Sequence, residues 1–182
     1  MRTRESQVII PVLSARSVLI LVDLQQWIVD KPLEPIPGPA VVEASVRLRE
    51  AFDAEAAPVV IARYVRADGS DGGVAAPANR IVDALEPGRG EHVVTRSGVD
   101  AFSGTRLVSD LRDLGAKVLV IAGIATEHGV AATAGTALQL GYEVLVVSDA
   151  TTGTTAEEHA AALRRLADAG AKVVTVGELL DR

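Results

Sequence analysis

Six short apolar runs constrain this chain more than any other feature. "SVLILVD", "APVVIARYV", "EHVVTR", "AKVLVIAG", "YEVLVVSDA" and "AKVVTV" are rich in β-branched residues, and polar or turn residues follow them. The longer runs are apolar at nearly every position. A strand with one wet face would alternate, so these runs suit a parallel sheet covered on both faces. Helical patterns lie between them. "PAVVEASVRLREAFDAEA" precedes the second run, and "GTRLVSDLRDLGA" precedes the fourth with Leu107, Leu111 and Leu114 on one face. "GVAATAGTALQLG" follows the fourth run, and "TAEEHAAALRRLADAGA" follows the fifth. Gly115, Gly141 and Gly170 stand where three of these helices must stop, which predicts C-terminal caps of positive φ. Thr155 with Glu158 predicts a capping box. The alternation predicts an α/β fold of three layers with right-handed crossovers. No repeat, low-complexity tract or linker interrupts it, so residues 1–182 read as a single domain.

Composition narrows the function classes. A net charge of −6 argues against a nucleic-acid or anionic-membrane partner. No apolar run is long enough to span a bilayer, and the N-terminal "MRTRESQVIIPVL" lacks a small-residue cleavage pattern, so a cytoplasmic location is expected. The chain has no Cys, which removes disulfides, thiolate metal sites and thiol nucleophiles together. Its three His residues, His92, His128 and His159, are widely spaced, so no conventional zinc site is expected. The glycine-rich nucleotide motifs GxGxxG and GxxxxGK[ST] are absent, and no cofactor is expected.

Open α/β sheets bind ligands beyond the carboxyl ends of their strands. Asp23, Arg63 or Arg66, Arg96, the Gly123–Gly129 turn and Asp149 all fall there. Two stretches read as loops: the Pro-rich "DKPLEPIPGP", expected to be stiff, and the Gly-rich "RADGSDGGVAAPANR", expected to fold over a site.

Three ordered motifs carry a resemblance. "LILVDLQQWIVD" is similar to an opening strand with D-x-Q followed by an aromatic. "TRSGVDAFSGTRLVSDLRDLG" resembles K-x-x-x-S-A-F-x-x-T-x-L, and "VIAGIATEHGVAATAGTALQLGYEVLVVSDA" resembles G-[VI]-x-T-x-x-C-V-x-x-T-A … G-[YF] … D-A. Together, from about Ser17 to Leu180, they resemble the isochorismatase-like hydrolase superfamily. The resemblance implies a Rossmann-like, six-stranded parallel sheet flanked by helices, usually in a homodimer or larger homo-oligomer, and a small-molecule substrate.

Most members of that superfamily use an Asp, a Lys and a Cys. Carried over, these positions are Asp23, Arg96 and Gly129, so two of the three are changed. Thiolate attack cannot run through Gly129. True isochorismatases resemble this chain in carrying Gly there, and they cleave a vinyl ether to release pyruvate. Enol-ether hydrolysis needs a proton delivered to carbon and water to capture the cation, with no covalent nucleophile. The resemblance then implies Asp23 as general acid and Arg96 as a carboxylate-binding fork, with the small Gly129 leaving room for substrate and water. Trp27, Phe102, Ile124, Ala125 and His128 are candidates to line the pocket, and Arg63 to bind an anion. A non-proline cis peptide of the family falls at Ile124–Ala125. Metal-binding nicotinamidases carry His after the second strand, whereas "ARYVRADGSDG" has none, so no metal is implied.

Asp23 faces opposed forces. A guanidinium about 4 Å away, at an effective dielectric of roughly 20, is worth on the order of 4 kcal/mol and lowers the carboxyl pKa by about three units. Burial raises it by up to a few units. Asp100, where Ser is usual, is a candidate for a salt bridge with Arg96 or Arg106. Thr126 is a candidate substitute nucleophile with no partner base evident from spacing. Three readings follow: a non-thiol hydrolase of a small anionic substrate such as isochorismate; a binding protein that kept the fold without turnover; and an altered amide or carbamoyl hydrolase, or a chain whose thiol was removed.

Overall fold

The computed structural model describes residues 13–181. The N-terminal stretch in which no leader peptide is read lies outside them, apart from its last residue. Each apolar run becomes a strand: β1 (Ser17–Val22), β2 (Val59–Tyr64), β3 (His92–Arg96), β4 (Val118–Ile124), β5 (Glu143–Thr152) and β6 (Lys172–Val174). They form one sheet in the order β3-β2-β1-β4-β5-β6, and every pairing is parallel.

The helices are α1 (Gln26–Val29), α2 (Gly38–Ala54), α3 (Leu107–Asp113), α4 (Ala131–Gln139), α5 (Ala156–Asp168) and α6 (Val176–Leu180). Two cores flank the sheet, and β1 shows why. Its residues alternate sides, as strand geometry demands. Leu19 and Leu21 join Leu48 and Phe52 of α2, whereas Val18, Ile20 and Val22 join Leu107 and Leu111 of α3 and Ala134 of α4. Burying a side chain the size of Leu or Phe is worth about 1.5–3 kcal/mol. A strand apolar on both faces therefore holds two helical layers at once.

The predicted helix stops are present: Gly115, Gly141 and Gly170 have φ of 65°, 84° and 107°. The predicted capping box is half made. Thr155 accepts from the Glu158 N–H at 3.1 Å, while the reciprocal box closes instead at α6, between Thr175 and Glu178. Gly123 is demanded by packing. Its φ is 127°, and an added Cβ would lie 2.1 Å from the Val22 carbonyl oxygen. The two central strands therefore approach closely where the site begins. Among the described residues, no helix is long and apolar enough to cross a membrane.

Candidate active site

Strand order reverses between β1 and β4, which lie side by side while the chain winds outward from them in both directions. Such a switch point opens a crevice at the strands' carboxyl ends. Asp23 follows β1 directly with φ of 54°, a left-handed conformation that Asp tolerates better than most side chains. Its own N–H still continues the ladder, donating to the Ala62 carbonyl at 2.8 Å. The carboxylate thus projects from a well-anchored backbone.

Arg96 ends β3, and its guanidinium reaches Asp23 across β2. Its Nε donates to Asp23 Oδ1 at 3.1 Å, its Nη2 donates to Oδ2, and its Nη1 donates to the Gly98 carbonyl. Tyr64 is in register with Arg96 on β2, and its ring centroid lies 5.0 Å from Cζ. Asp23 is 3% exposed and Arg96 6%. Burial pushes the Asp23 carboxyl above the ordinary carboxylate range, and the hydrogen bonds and charge of Arg96 pull against it without cancelling it.

Gly129 closes the constellation. β4 ends at Ile124, the Ile124–Ala125 peptide is cis, and a wide helical turn over Thr126–Val130 leads into α4. A Cβ at Gly129 would lie 2.6 Å from Arg96 Nη2, 3.1 Å from Asp23 Oδ2 and 3.2 Å from Val22 Cγ1. The corner is therefore not open. It holds the end of the guanidinium, which corrects the expectation that Gly129 leaves its space to substrate and water: the forked arginine extends past the carboxylate into it.

A cavity of about 490 Å³ opens beside the pair. Seven of the nine sequence candidates border it: Asp23, Trp27, Arg96, Ile124, Ala125, His128 and Gly129. Six further lining residues escaped the sequence reading, among them Lys31, Pro32 and Leu33 from the Pro-rich loop and Tyr64 from β2. That loop is clamped in place, because Glu34 and Gly153 exchange both backbone hydrogen bonds at 3.0 and 2.9 Å. The Gly-rich stretch does not border the cavity. It folds into short turns over Gly73–Ala75 and Pro77–Asn79, with Asn79 buried.

The other candidates point elsewhere. Arg63 alternates with Tyr64 and lies outside the cavity, its Nε donating to Thr95 Oγ1 at 3.0 Å. Phe102 packs into the core beside α3. Arg66 belongs to a local turn, its N–H donating to Asp71. Asp149 accepts from the Val176 N–H at 2.7 Å at the start of α6. Asp100 makes no salt bridge with Arg96 or Arg106. It accepts from the Phe102 and Ser103 N–H groups, both at 2.7 Å, and from Ser103 Oγ. Burial works to raise its pKa, and these bonds outweigh it and hold the carboxyl below the ordinary value. Thr126 is fully buried, its Oγ1 2.8 Å from His159 Nδ1, outside the cavity.

Gln25 was missed, although it stands in the quoted D-x-Q. Its Nε2 donates to the Tyr64 and Asn79 carbonyls at 2.8 and 2.9 Å, and its Oε1 accepts from the Tyr64 N–H at 2.7 Å. It locks the ends of β1 and β2, and so the frame of Asp23 and Tyr64. Among the described residues, no group of three or more His, Asp and Glu is placed to hold a metal ion.

The isochorismatase domain matches residues 17–178. An uncharacterised isochorismatase family protein, YwoC of Bacillus subtilis, is 31% identical over 92% of this chain and 94% of its own length. A streptothricin hydrolase of Streptomyces noursei is 36% identical over 72% of this chain, which spans 48% of that protein. Among solved structures, an isochorismatase family protein from Burkholderia thailandensis superposes with a TM-score of 0.85 at 30% identity, covering 94% of this chain and 99% of that one.

Proposed function

The chain belongs to the isochorismatase family of hydrolases, and on that premise we propose that it hydrolyses a small anionic enol ether, isochorismate or a relative, without a covalent nucleophile. One observation carries the reading. A buried carboxyl with a raised pKa borders a largely apolar cavity, next to a position that bears no side chain.

A general acid must hold its proton near neutral pH, and burial moves Asp23 in that direction. The proton passes from Asp23 to the methylene carbon of the vinyl ether, and the resulting oxocarbenium ion is captured by water. The hemiketal then collapses to an alcohol and a keto acid, and the proton lost from the water restores the acid. Arg96 Nε and Nη2 both donate to the Asp23 carboxyl oxygens. A substrate carboxylate competes with Asp23 for that fork, so ligand binding favours protonated Asp23, the form the reaction needs. An amide hydrolase working through a covalent acyl-enzyme would need a side-chain nucleophile beside the acid. Gly129 supplies none, and Thr126 lies outside the cavity.

A second reading, binding without turnover, draws on the same pair: both Asp23 oxygens accept from Arg96, as in a structural ion pair. Isochorismate separates the two. Pyruvate release by the wild type, cut about 10²–10⁴-fold by Asp23→Asn, is the expected outcome. Thermal stabilisation by isochorismate without any pyruvate would leave the binding reading standing.

A further inference from the structure

Lys31 has no assigned role and is exposed, yet its ammonium is held at one place on the cavity rim. Its Nζ lies 4.1 Å from the centroid of the Trp27 ring, within cation–π range. Both residues border the cavity. The loop carrying Lys31 is fixed at two points, since the Lys31 N–H donates to the Ile28 carbonyl at 3.2 Å and Glu34 pairs with Gly153 three residues on. Among the described residues, no carboxylate lies within ion-pair distance of Lys31: the ion pairs involve Arg49, Arg80, Arg96, Arg106, His128 and Lys172. The acids beside it in sequence, Asp30 and Glu34, leave it unpaired.

The charges around the cavity are unbalanced in consequence. Among the described residues, Asp23 is its only acidic lining residue and is already matched by Arg96, which leaves Lys31 as an uncompensated cation on a rim shared with Leu33, Pro32 and Ile28. Its contact with the indole fixes where the exposed ammonium sits, so it offers an anion in the cavity a positioned, partly screened charge.

We propose that Lys31, held on Trp27, is a specificity-determining residue that binds a second acidic group of the ligand, remote from the one facing Arg96. The site therefore prefers compact molecules with two anionic groups to those with one. This deepens the reading of a small anionic substrate but does not depend on turnover, because it concerns affinity alone.

Benzoate and isophthalate, a monoanion and a dianion on the same ring, test it. Trp27 is the only Trp in the chain, so its fluorescence reports on this cavity, with calorimetry as a second measure. Wild-type protein binds isophthalate about two- to fivefold more tightly than benzoate, the span expected for a partly exposed ion pair. Raising the salt concentration narrows the gap. Lys31→Ala removes most of the preference, Lys31→Arg retains it and Lys31→Glu reverses it. Equal affinities in the wild type, binding of neither probe, or a preference that survives Lys31→Ala would overturn the proposal. No pyruvate release from isochorismate by the wild type, with the preference intact, would overturn the enol-ether reading and leave this inference standing.

Discussion

Asp23, Arg96 and Gly129 act as one unit because they share a single small volume. The closest atom to a Cβ at Gly129 is Arg96 Nη2, at 2.6 Å, and the guanidinium is itself held by Asp23 and Gly98. Gly129→Ala therefore has to displace a buried, paired arginine. Overpacking of this kind costs about 1–3 kcal/mol, and displacing Arg96 also weakens a buried ion pair, where an uncompensated charge is expensive. Arg96→Lys shortens the reach into the corner. In the double variant, Gly129→Ala then costs less than it does in the wild type. Denaturant unfolding of the four proteins of this cycle measures the coupling. Purely additive effects would show that the two residues are independent and that the corner is filled by something else.

Where the turn after β4 meets α5, the contact is polar and buried. Thr126 Oγ1 and His159 Nδ1 are 2.8 Å apart, and Glu127 lies close enough to bear on the ring. Burial lowers the His159 pKa, and Glu127 offsets part of that shift. The unfolded chain therefore takes up a proton at this residue before the folded one does. Its share of stability is complete above the unfolded value of about 6.5 and is lost as pH falls from there through the lower folded value. Glu127 and Asp100 titrate in a separate window. Burial works to raise both, and their hydrogen bonds hold both below the ordinary value, so their stabilisation is lost only as pH falls below about 4. Asp23 works in the opposite sense, costing stability as pH rises through its raised pKa. Unfolding midpoints at pH values between about 7 and 5 are expected to fall more steeply for the wild type than for His159→Gln. Identical slopes would mean that His159 titrates alike in both states.

The sheet as a whole places the site. Its order reverses at β1 and β4, and Asp23 and the turn toward Gly129 leave from those two strands. Arg96 comes from the edge strand β3, yet its long side chain spans β2 to reach the centre. The outer strands β3 and β6 present Val93 and Val173 partly to solvent. The family resemblance implies a homo-oligomer, and we propose that the chain is a dimer or larger in solution. Sedimentation velocity should give at least twice the mass of one chain; a single-chain mass at working concentrations would contradict it.

Legibility followed the physics of each feature. Strands, helix stops and three-layer class could be read from the chain because apolar runs and Gly caps are local patterns with one dominant solution. Asp23, Arg96 and Gly129 were visible through ordered motifs and their place at strand ends. Lys31, Leu33 and Tyr64 were not, because a cavity wall is set by how a loop docks on β5 and how a strand alternates against its neighbour. Arg63 and Phe102 show the reverse error, since a residue near a strand end can still face the wrong side. The sequence by itself determined which chemistry was absent, through its lack of Cys and the hydrogen at Gly129. Only the tertiary structure decided that the vacated corner is held by a guanidinium, because that outcome depends on an arginine three strands away from β4 and on the space its fork needs.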